Sequence, residues 1–437
     1  MIHIMIFIGT RPEITKCAPV IRRIIEDKQK LTLIHSGQHY DYEMSKIFLK
    51  ELNLPKLTAN LEIGSGTHGE QTGKMIMGYE KEILKYKPDI VLAQGDTNSV
   101  VAASIVCSKL NIPYGHIEAG IRSHDLTMPE EINRKVADSV SALYFAPSEE
   151  AVLNLLYEGI NPKRVFLTGN TIVDAIIEHS NIAVEKSKII DELQLPKNKK
   201  ILTITAHRAA NVDNKEGLEG ICNALVALAD YSIVFPIHPR TKKKLIEFNL
   251  LEKIEKEKHI FLINPLGYLD FLCLMQRSVL IITDSGGLQE EAISLRKPCI
   301  TLRRNTERPE TIKLGVNRLV GTNTDKIIEA VNYFSENKKI QEKLSTLKNP
   351  YGDGKASERI LQIIKEKHAN NSLVFKEPTI LTKGAYEFKL IHLETEKTVE
   401  EIEQEYQGIV TLIYDENGSP QIIRDKVPAK WSVRIQF

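Results

Sequence analysis

The chain has 437 residues, too many for a single core, with 42% hydrophobic and 26% charged residues, an ordinary globular balance. Its formal net charge of +1 offers no basic face for nucleic acid or an anionic membrane surface. Apolar runs are strand-sized and no signal sequence or membrane span is evident, so a cytoplasmic protein is expected. The five cysteines, at 17, 107, 222, 273 and 299, are scattered without a CxxC pair; they read as small buried hydrophobes in a reducing compartment, not as disulfides or a zinc cluster.

Ile2 to Ile8 reads as a strand buried on both faces, ending in Gly9-Thr10-Arg11-Pro12-Glu13 before a helical stretch to about Glu26, which opens a βαβ series. Arg11 and Lys16 fall at or just after the strand's C-terminal end, where open parallel sheets bind ligands. Both suit a phosphate; solvated surface charges are the plain alternative. Leu31 to His35 is a second strand, followed by a loop and a helix over Met44 to Leu52. Gly64-Ser65-Gly66-Thr67-His68-Gly69 matches GxGxxG, but it follows the polar-interrupted stretch Leu57 to Ile63 and not the first apolar strand. It reads as a flexible loop, not a dinucleotide site.

Asp89 to Gln94 is the next strand, and Gly95-Asp96-Thr97-Asn98 opens a helix to about Leu110. Asp96 at this strand end is either a helix cap or an acid/base group of a cleft. Ile112 to Ile117 delivers His116, Glu118 and Gly120 to the same edge. The His116-x-Glu118 spacing is compatible with a metal, yet no further ligand types complete a site, so acid/base or hydrogen-bonding use is favoured. In the polar loop Arg122 to Arg134, Pro129 starts a helix that puts Glu130 and Arg134 on one face, four residues apart, where a weak surface ion pair is the plain reading. Ala142 to Ala146 and Val165 to Thr168 read as the last strands of this half.

A long helical, lysine-rich stretch from Asn170 to Pro196 breaks the rhythm, which restarts at Lys200 to Thr205. Strands at Ser232 to Ile237, Ile260 to Ile263, Val279 to Thr283 and Pro298 to Leu302 follow, a second α/β half without sequence repetition. Its strand ends carry His207-Arg208 and His238-Pro239-Arg240. A lone histidine after a strand is more often structural, but His207 beside Arg208 at a ligand-binding edge is a candidate.

The junction Thr283-Asp284-Ser285-Gly286-Gly287-Leu288-Gln289-Glu290-Glu291 is the most informative stretch. An apolar strand ends in a glycine-bearing turn and a helix starts at once, so backbone N–H groups converge as they do on a diphosphate. Ser285 could cap the helix or donate to a phosphate, and one of the first-turn pair Glu290 and Glu291 would face a sugar hydroxyl. An ordinary capped strand–turn–helix junction is the alternative. The cationic loop Arg303 to Thr311 could add a bidentate arginine. Helices over Asp325 to Leu347 and up to Lys367 precede a small α+β appendage, 373–437, with strands near Tyr386 to Leu393, Ile409 to Tyr414, Gln421 to Arg424 and Ser432 to Phe437 around a helix Thr398 to Gln407.

The ordered set Gly9-Thr10-Arg11-Pro12-Glu13, Gly95-Asp96-Thr97, His116-Ile117-Glu118-Ala119-Gly120, Pro129-Glu130-Glu131-Ile132-Asn133-Arg134, Asp284 to Glu291 and Thr306-Glu307-Arg308-Pro309-Glu310 closely resembles the non-hydrolysing UDP-N-acetylglucosamine 2-epimerases over residues 1 to about 368. The resemblance implies two Rossmann-like halves in the GT-B arrangement, 1–172 and 173–354, with the last helix, 355–368, returning to the first half. It implies no metal and no cofactor, a homodimer, and UDP-N-acetylglucosamine and UDP as ligands. It assigns Asp96, Glu118, Glu130 and His207 to catalysis; Arg11, Lys16, Ser285, Gly286, Gly287 and Arg308 to the phosphates; Glu291 to ribose; and Phe271 to uracil. Gln38, His39 and His238 match positions of an allosteric UDP-N-acetylglucosamine site, although Glu70 stands where an arginine is common, and the appendage lies outside the family pattern.

The rivals are a 2-epimerase of UDP-2,3-diacetamido-glucuronate, against which Arg308-Pro309-Glu310 speaks, the hydrolysing epimerase, a GT-B glycosyltransferase and a non-catalytic sensor.

Overall fold

The computed structural model describes residues 1–37, 48–373, 388–421 and 425–436. The chain divides into two compact units, 1–374 and 375–437. The first contains two parallel sheets. Strands β1 (His3–Ile8), β2 (Lys30–His35), β3 (Ala59–Asn60), β4 (Ile90–Gln94), β5 (Tyr114–Ile117), β6 (Leu143–Ala146) and β7 (Val165–Leu167) lie in the order β3-β2-β1-β4-β5-β6-β7. Strands β8 (Lys200–Thr205), β9 (Tyr231–Pro236), β10 (Ile260–Ile263), β11 (Leu280–Thr283), β12 (Cys299–Thr301) and β13 (Asn317–Leu319) lie in the order β10-β9-β8-β11-β12-β13.

In both sheets the strand order thus reverses once, between β1 and β4 and between β8 and β11. In doubly wound folds the crevice beyond the strand ends at that reversal is where ligands bind. The central strands are largely apolar because helices cover both faces: all six residues of β1 are buried.

The helix Arg11–Glu26 starts where Thr10 and Glu13 form a capping box with proline at the second position. The stretch expected to be helical from 170 to 196 is a helix Thr171–Lys186 stopped at Ser187, then a short turn Ile189–Glu192. Thr171–Lys186 packs against Arg11–Glu26 on one side and against Tyr268–Arg277 and Gly286–Ser294 on the other, so one apolar core runs through both halves. The last helix of this unit, Ala356–Ala369, packs on Arg11–Glu26 and Thr171–Lys186, its first backbone N–H groups capped by buried Asp174.

GxGxxG forms the loop into helix His68–Tyr86, where Thr67 and Glu70 make a capping box; Glu70 is thereby engaged in helix capping. All five cysteines are buried and free, and among the described residues no helix is long and apolar enough to cross a membrane.

The second unit has a four-stranded antiparallel sheet, β14 (Phe388–His392), β16 (Ile409–Tyr414), β17 (Pro420–Gln421) and β19 (Ser432–Gln436), ordered β14-β19-β16-β17. A two-residue pair joins β15 (Lys397–Thr398) to β18 (Lys426–Val427). Helix Val399–Tyr406 places Ile402 against Val410, Ile413, Val433 and Ile435.

Candidate active site

A cavity of about 740 Å³ opens beyond the switch points of the two parallel sheets. Arg11, Lys16, Asp96, Glu118 and Glu130 line it from the first half, and His207, His238, Phe271, Ser285, Gly286, Gly287, Glu291 and Arg308 from the second. Every described residue given a catalytic, substrate-binding or allosteric role by the resemblance therefore reaches one cleft. Gln38 and His39 lie outside the described residues. His238, matched to an allosteric position by resemblance, sits in this cleft with its ring 5.6 Å from that of His207, and its Nδ1 caps the helix Pro239–Glu247.

Glu118 is the most heavily engaged residue. Lys16 Nζ donates to both its oxygens at 2.8 Å, Arg308 Nη2 donates at 2.8 Å from the opposite half, and Gln94 and Asn170 add side-chain amides. Burial opposes its charge, yet Lys16 and Arg308 outweigh burial and hold its carboxyl below the ordinary range. Its backbone has φ of +75°, an uncommon conformation for a non-glycine residue, fixed on one side by the Glu118 N–H bond of 3.0 Å to the Phe145 carbonyl. Strain of this kind persists where the surroundings over-determine it, and functional sites are where it clusters.

Asp96 is paired with Arg134, and Arg134 also donates to Glu131 at 2.9 Å. The expected Glu130–Arg134 surface pair is therefore replaced: Arg134 is buried, Glu131 is its helical partner, and Glu130 is left facing the cleft. Glu131 additionally accepts from the Ser123 and His124 backbone N–H groups at 2.9 and 3.0 Å, which folds the polar loop back on its helix. His116 is buried and committed elsewhere, with Nδ1 2.6 Å from Asp138 and Nε2 2.8 Å from the Gly95 carbonyl oxygen.

Glu307 was not a candidate from sequence, yet it organises the cationic loop. Arg303 lies 2.6 Å, Arg208 3.4 Å and Arg134 3.9 Å from it. Burial resists its charge, and Arg308, Arg303, Arg134 and Arg208 more than compensate, holding it far below the ordinary carboxylate range. A group whose folded value lies below its unfolded value of about 4.3 contributes stability above that pH and loses it as pH falls toward the folded value. Urea unfolding of Glu307→Gln is accordingly expected to show a deficit at neutral pH that narrows below about pH 4.3. A deficit constant down to about pH 3 would contradict the ion-pair account.

On the second half, Asp284 fixes the turn after β8: it accepts from the His207 and Arg208 backbone N–H groups at 2.9 and 2.8 Å and lies 3.2 Å from His207 Nδ1. That leaves Nε2 of His207 as the nitrogen available to a ligand. Ser285 is the N-cap of helix Gly286–Ser294, but its hydroxyl makes no capping bond and stays available at the cleft. A Cβ on Gly286 would meet Glu307 Oε1 at 2.3 Å, so any larger residue there would push that carboxylate away from the arginines it pairs with.

The helix phase separates the glutamate pair, which falls in the second turn and not the first. Glu290 points into the protein and Glu291 lines the cleft. Burial, with Glu290 adding to it against Lys16, pushes Glu291 up to about 8, where it can donate as well as accept hydrogen bonds. Glu13, a further cleft residue outside the candidate set, accepts from the Gly9 and Thr10 N–H groups and is pushed by burial to about 7.

Fold and site together define a GT-B-type α/β protein whose cleft sets a carboxylate-rich wall against a helix N-terminus and basic side chains. A family model described as UDP-N-acetylglucosamine 2-epimerase matches residues 22–365, and the chain belongs to that family. The UDP-N-acetylglucosamine 2-epimerase of Methanocaldococcus jannaschii is 50% identical over 365 residues, covering 82% of this chain and 98% of its own. The crystal structure of the Methanocaldococcus jannaschii enzyme in complex with UDP-GlcNAc and UDP matches with a TM-score of 0.76 over 83% of this chain and 99% of that one. The UDP-2,3-diacetamido-2,3-dideoxy-D-glucuronate 2-epimerase of Pseudomonas aeruginosa is 39% identical over 367 residues, 83% of this chain and 99% of its own.

Proposed function

We propose that this chain interconverts UDP-N-acetylglucosamine and UDP-N-acetylmannosamine by anti elimination of UDP to 2-acetamidoglucal and re-addition with protonation from the other face. The observation that carries the reading is the opposition, across one cleft, of Asp96, Glu118 and Glu130 from residues 1–172 to His207, Ser285, Gly286 and Gly287 from residues 173–354. The C2 hydrogen lies beside an amide nitrogen and not a carbonyl, so its removal becomes feasible only as UDP leaves C1. The reaction therefore needs proton-transfer groups on both faces of the sugar and firm retention of UDP.

Glu118, kept ionised by Lys16 and Arg308, suits removal of the C2 proton in one direction and its return in the other; Asp96 and Glu130 complete the acid/base set. Arg11, Lys16, Arg308 and the N-terminus of helix Gly286–Ser294 hold the diphosphate, and His207 stabilises the charge that develops on departing UDP. Glu291 takes the ribose hydroxyls and Phe271 packs on uracil. Five buried, unpaired cysteines support a reducing compartment, the cytoplasm, as the place of action.

A second reading, 2-epimerisation of the diacetamido-uronate, has the 39% identical relative in its support. Proton NMR in D₂O separates the possibilities. Expected from UDP-N-acetylglucosamine is intact UDP-N-acetylmannosamine with deuterium at C2. Free UDP with N-acetylmannosamine would make the protein a hydrolysing epimerase. Conversion of the diacetamido-uronate alone would install the second reading, and turnover only with an added sugar acceptor would indicate a glycosyltransferase.

A further inference from the structure

Glu290 is fully buried behind the cleft wall. Its oxygens accept from Lys16 Nζ at 3.2 Å and from Arg308 Nε, and the same two cations each reach Glu118 at 2.8 Å. Two cations therefore balance two carboxylates in a cluster that crosses the cleft.

Lys16 and Arg308 are also the cations given to the diphosphate. A diphosphate diester brings about two negative charges, so its arrival sets four negative charges against the three cations Arg11, Lys16 and Arg308, an imbalance that buried groups relieve by taking up a proton. The surroundings decide which carboxyl takes it. Glu118 retains Gln94 and Asn170 as donors, whereas among the described residues Glu290 has no side-chain donor beyond Lys16 and Arg308. Among the described residues the other titratable groups near Glu290 are Glu118 across the cleft, Glu291 on its own helix and the Tyr351 phenol, which bonds Glu310; none of these supplies positive charge. Burial already leaves the Glu290 carboxyl above its ordinary range, with Arg308 and Lys16 opposing, while Glu118 lies below its own.

We propose that Glu290 is a positioning residue that takes one proton from solvent when a nucleotide diphosphate engages Lys16 and Arg308, which keeps Glu118 ionised beside the sugar. This rests on the nucleotide-sugar reading above. In consequence, nucleotide-sugar affinity weakens as pH rises and Glu290 must be protonated against a lower proton activity. Glu290→Gln carries the uncharged form permanently, so it binds without that pH dependence.

The test is calorimetric titration with UDP-N-acetylglucosamine, whose diphosphate has no group titrating near neutrality, in buffers of different ionisation enthalpy across about pH 6 to 8. Expected is an uptake approaching one proton per site in the wild type and in Glu13→Gln, which removes the cleft carboxyl that burial pushes to about 7, and close to none in Glu290→Gln. KM should rise by up to about tenfold per pH unit in the wild type and stay flat in Glu290→Gln, with kcat little altered, a split that a merely structural role would not produce. Zero uptake in the wild type, equal uptake in Glu290→Gln, or loss of uptake in Glu13→Gln would each overturn the proposal. Where Glu290→Gln fails to fold, zero uptake in the wild type or its loss in Glu13→Gln still overturns the proposal. If the wild type binds no UDP-N-acetylglucosamine at all, the nucleotide-sugar reading falls first and takes this proposal with it.

Discussion

Replacing Glu118 by glutamine is expected to lower kcat by about 100- to 10,000-fold, the range lost with a positioned acid/base group, while nucleotide-sugar binding changes far less. The side chain reaches the cleft from a backbone held at φ of +75°, and four neighbours fix its direction. Glutamine keeps the shape but not the proton chemistry, and it turns an NH₂ toward the Lys16 ammonium and the Arg308 guanidinium, which can only donate. Some stability goes too, because removing one partner of a buried pair costs about 3–5 kcal/mol. Glu290 remains to pair both cations, so the lower end of that range is expected. Deuterium incorporation at C2 gives the chemical step and urea unfolding gives the stability. A variant within about tenfold of wild-type exchange would remove Glu118 from the proton-transfer set.

The two sheets were legible because their central strands are apolar runs bounded by turns, and the strand ends then nominated Arg11, Asp96, Glu118, His207 and Ser285 together. β3 and β13 were not read as strands: at two and three residues they are held by neighbours in the sheet and carry almost no pattern of their own. Neither could sequence divide the roles of adjacent glutamates. Successive helix positions turn by about 100°, so Glu290 enters the core and Glu291 the cleft, and only the packed phase of Gly286–Ser294 decides which. Glu131 and Glu130 part for the same reason, and Arg134 turns inward to pair with both Glu131 and Asp96, which stands in the turn after β4. Glu307 had the faintest signal. Its role comes from arginines at 134, 208, 303 and 308, which are spread along the chain and meet only when both halves are folded.

Gly120→Ala is expected to destabilise the protein by about 2–5 kcal/mol, the sum of a left-handed backbone penalty of about 1–2 and an overpacking cost of about 1–3. Gly120 has φ of +83°, and a Cβ there would lie 2.2 Å from the Ala151 carbonyl oxygen and 2.8 Å from Leu155 Cγ. The obstacle is the backbone of helix Glu149–Tyr157, which cannot swing aside as a side-chain tip can. Gly120 N–H also donates at 3.0 Å to Asp138, the carboxylate that holds His116 and Arg122, so a shift would be felt two residues upstream at Glu118. Gly64→Ala is the matched control: φ is +74° there but nothing lies within 4 Å, so only the backbone penalty of about 1–2 kcal/mol is expected, with activity intact. Urea midpoints of the two variants separate conformational strain from collision. Equal losses would mean that the chain yields around residue 120 and that the turn carrying Glu118 is less rigidly built than its contacts imply.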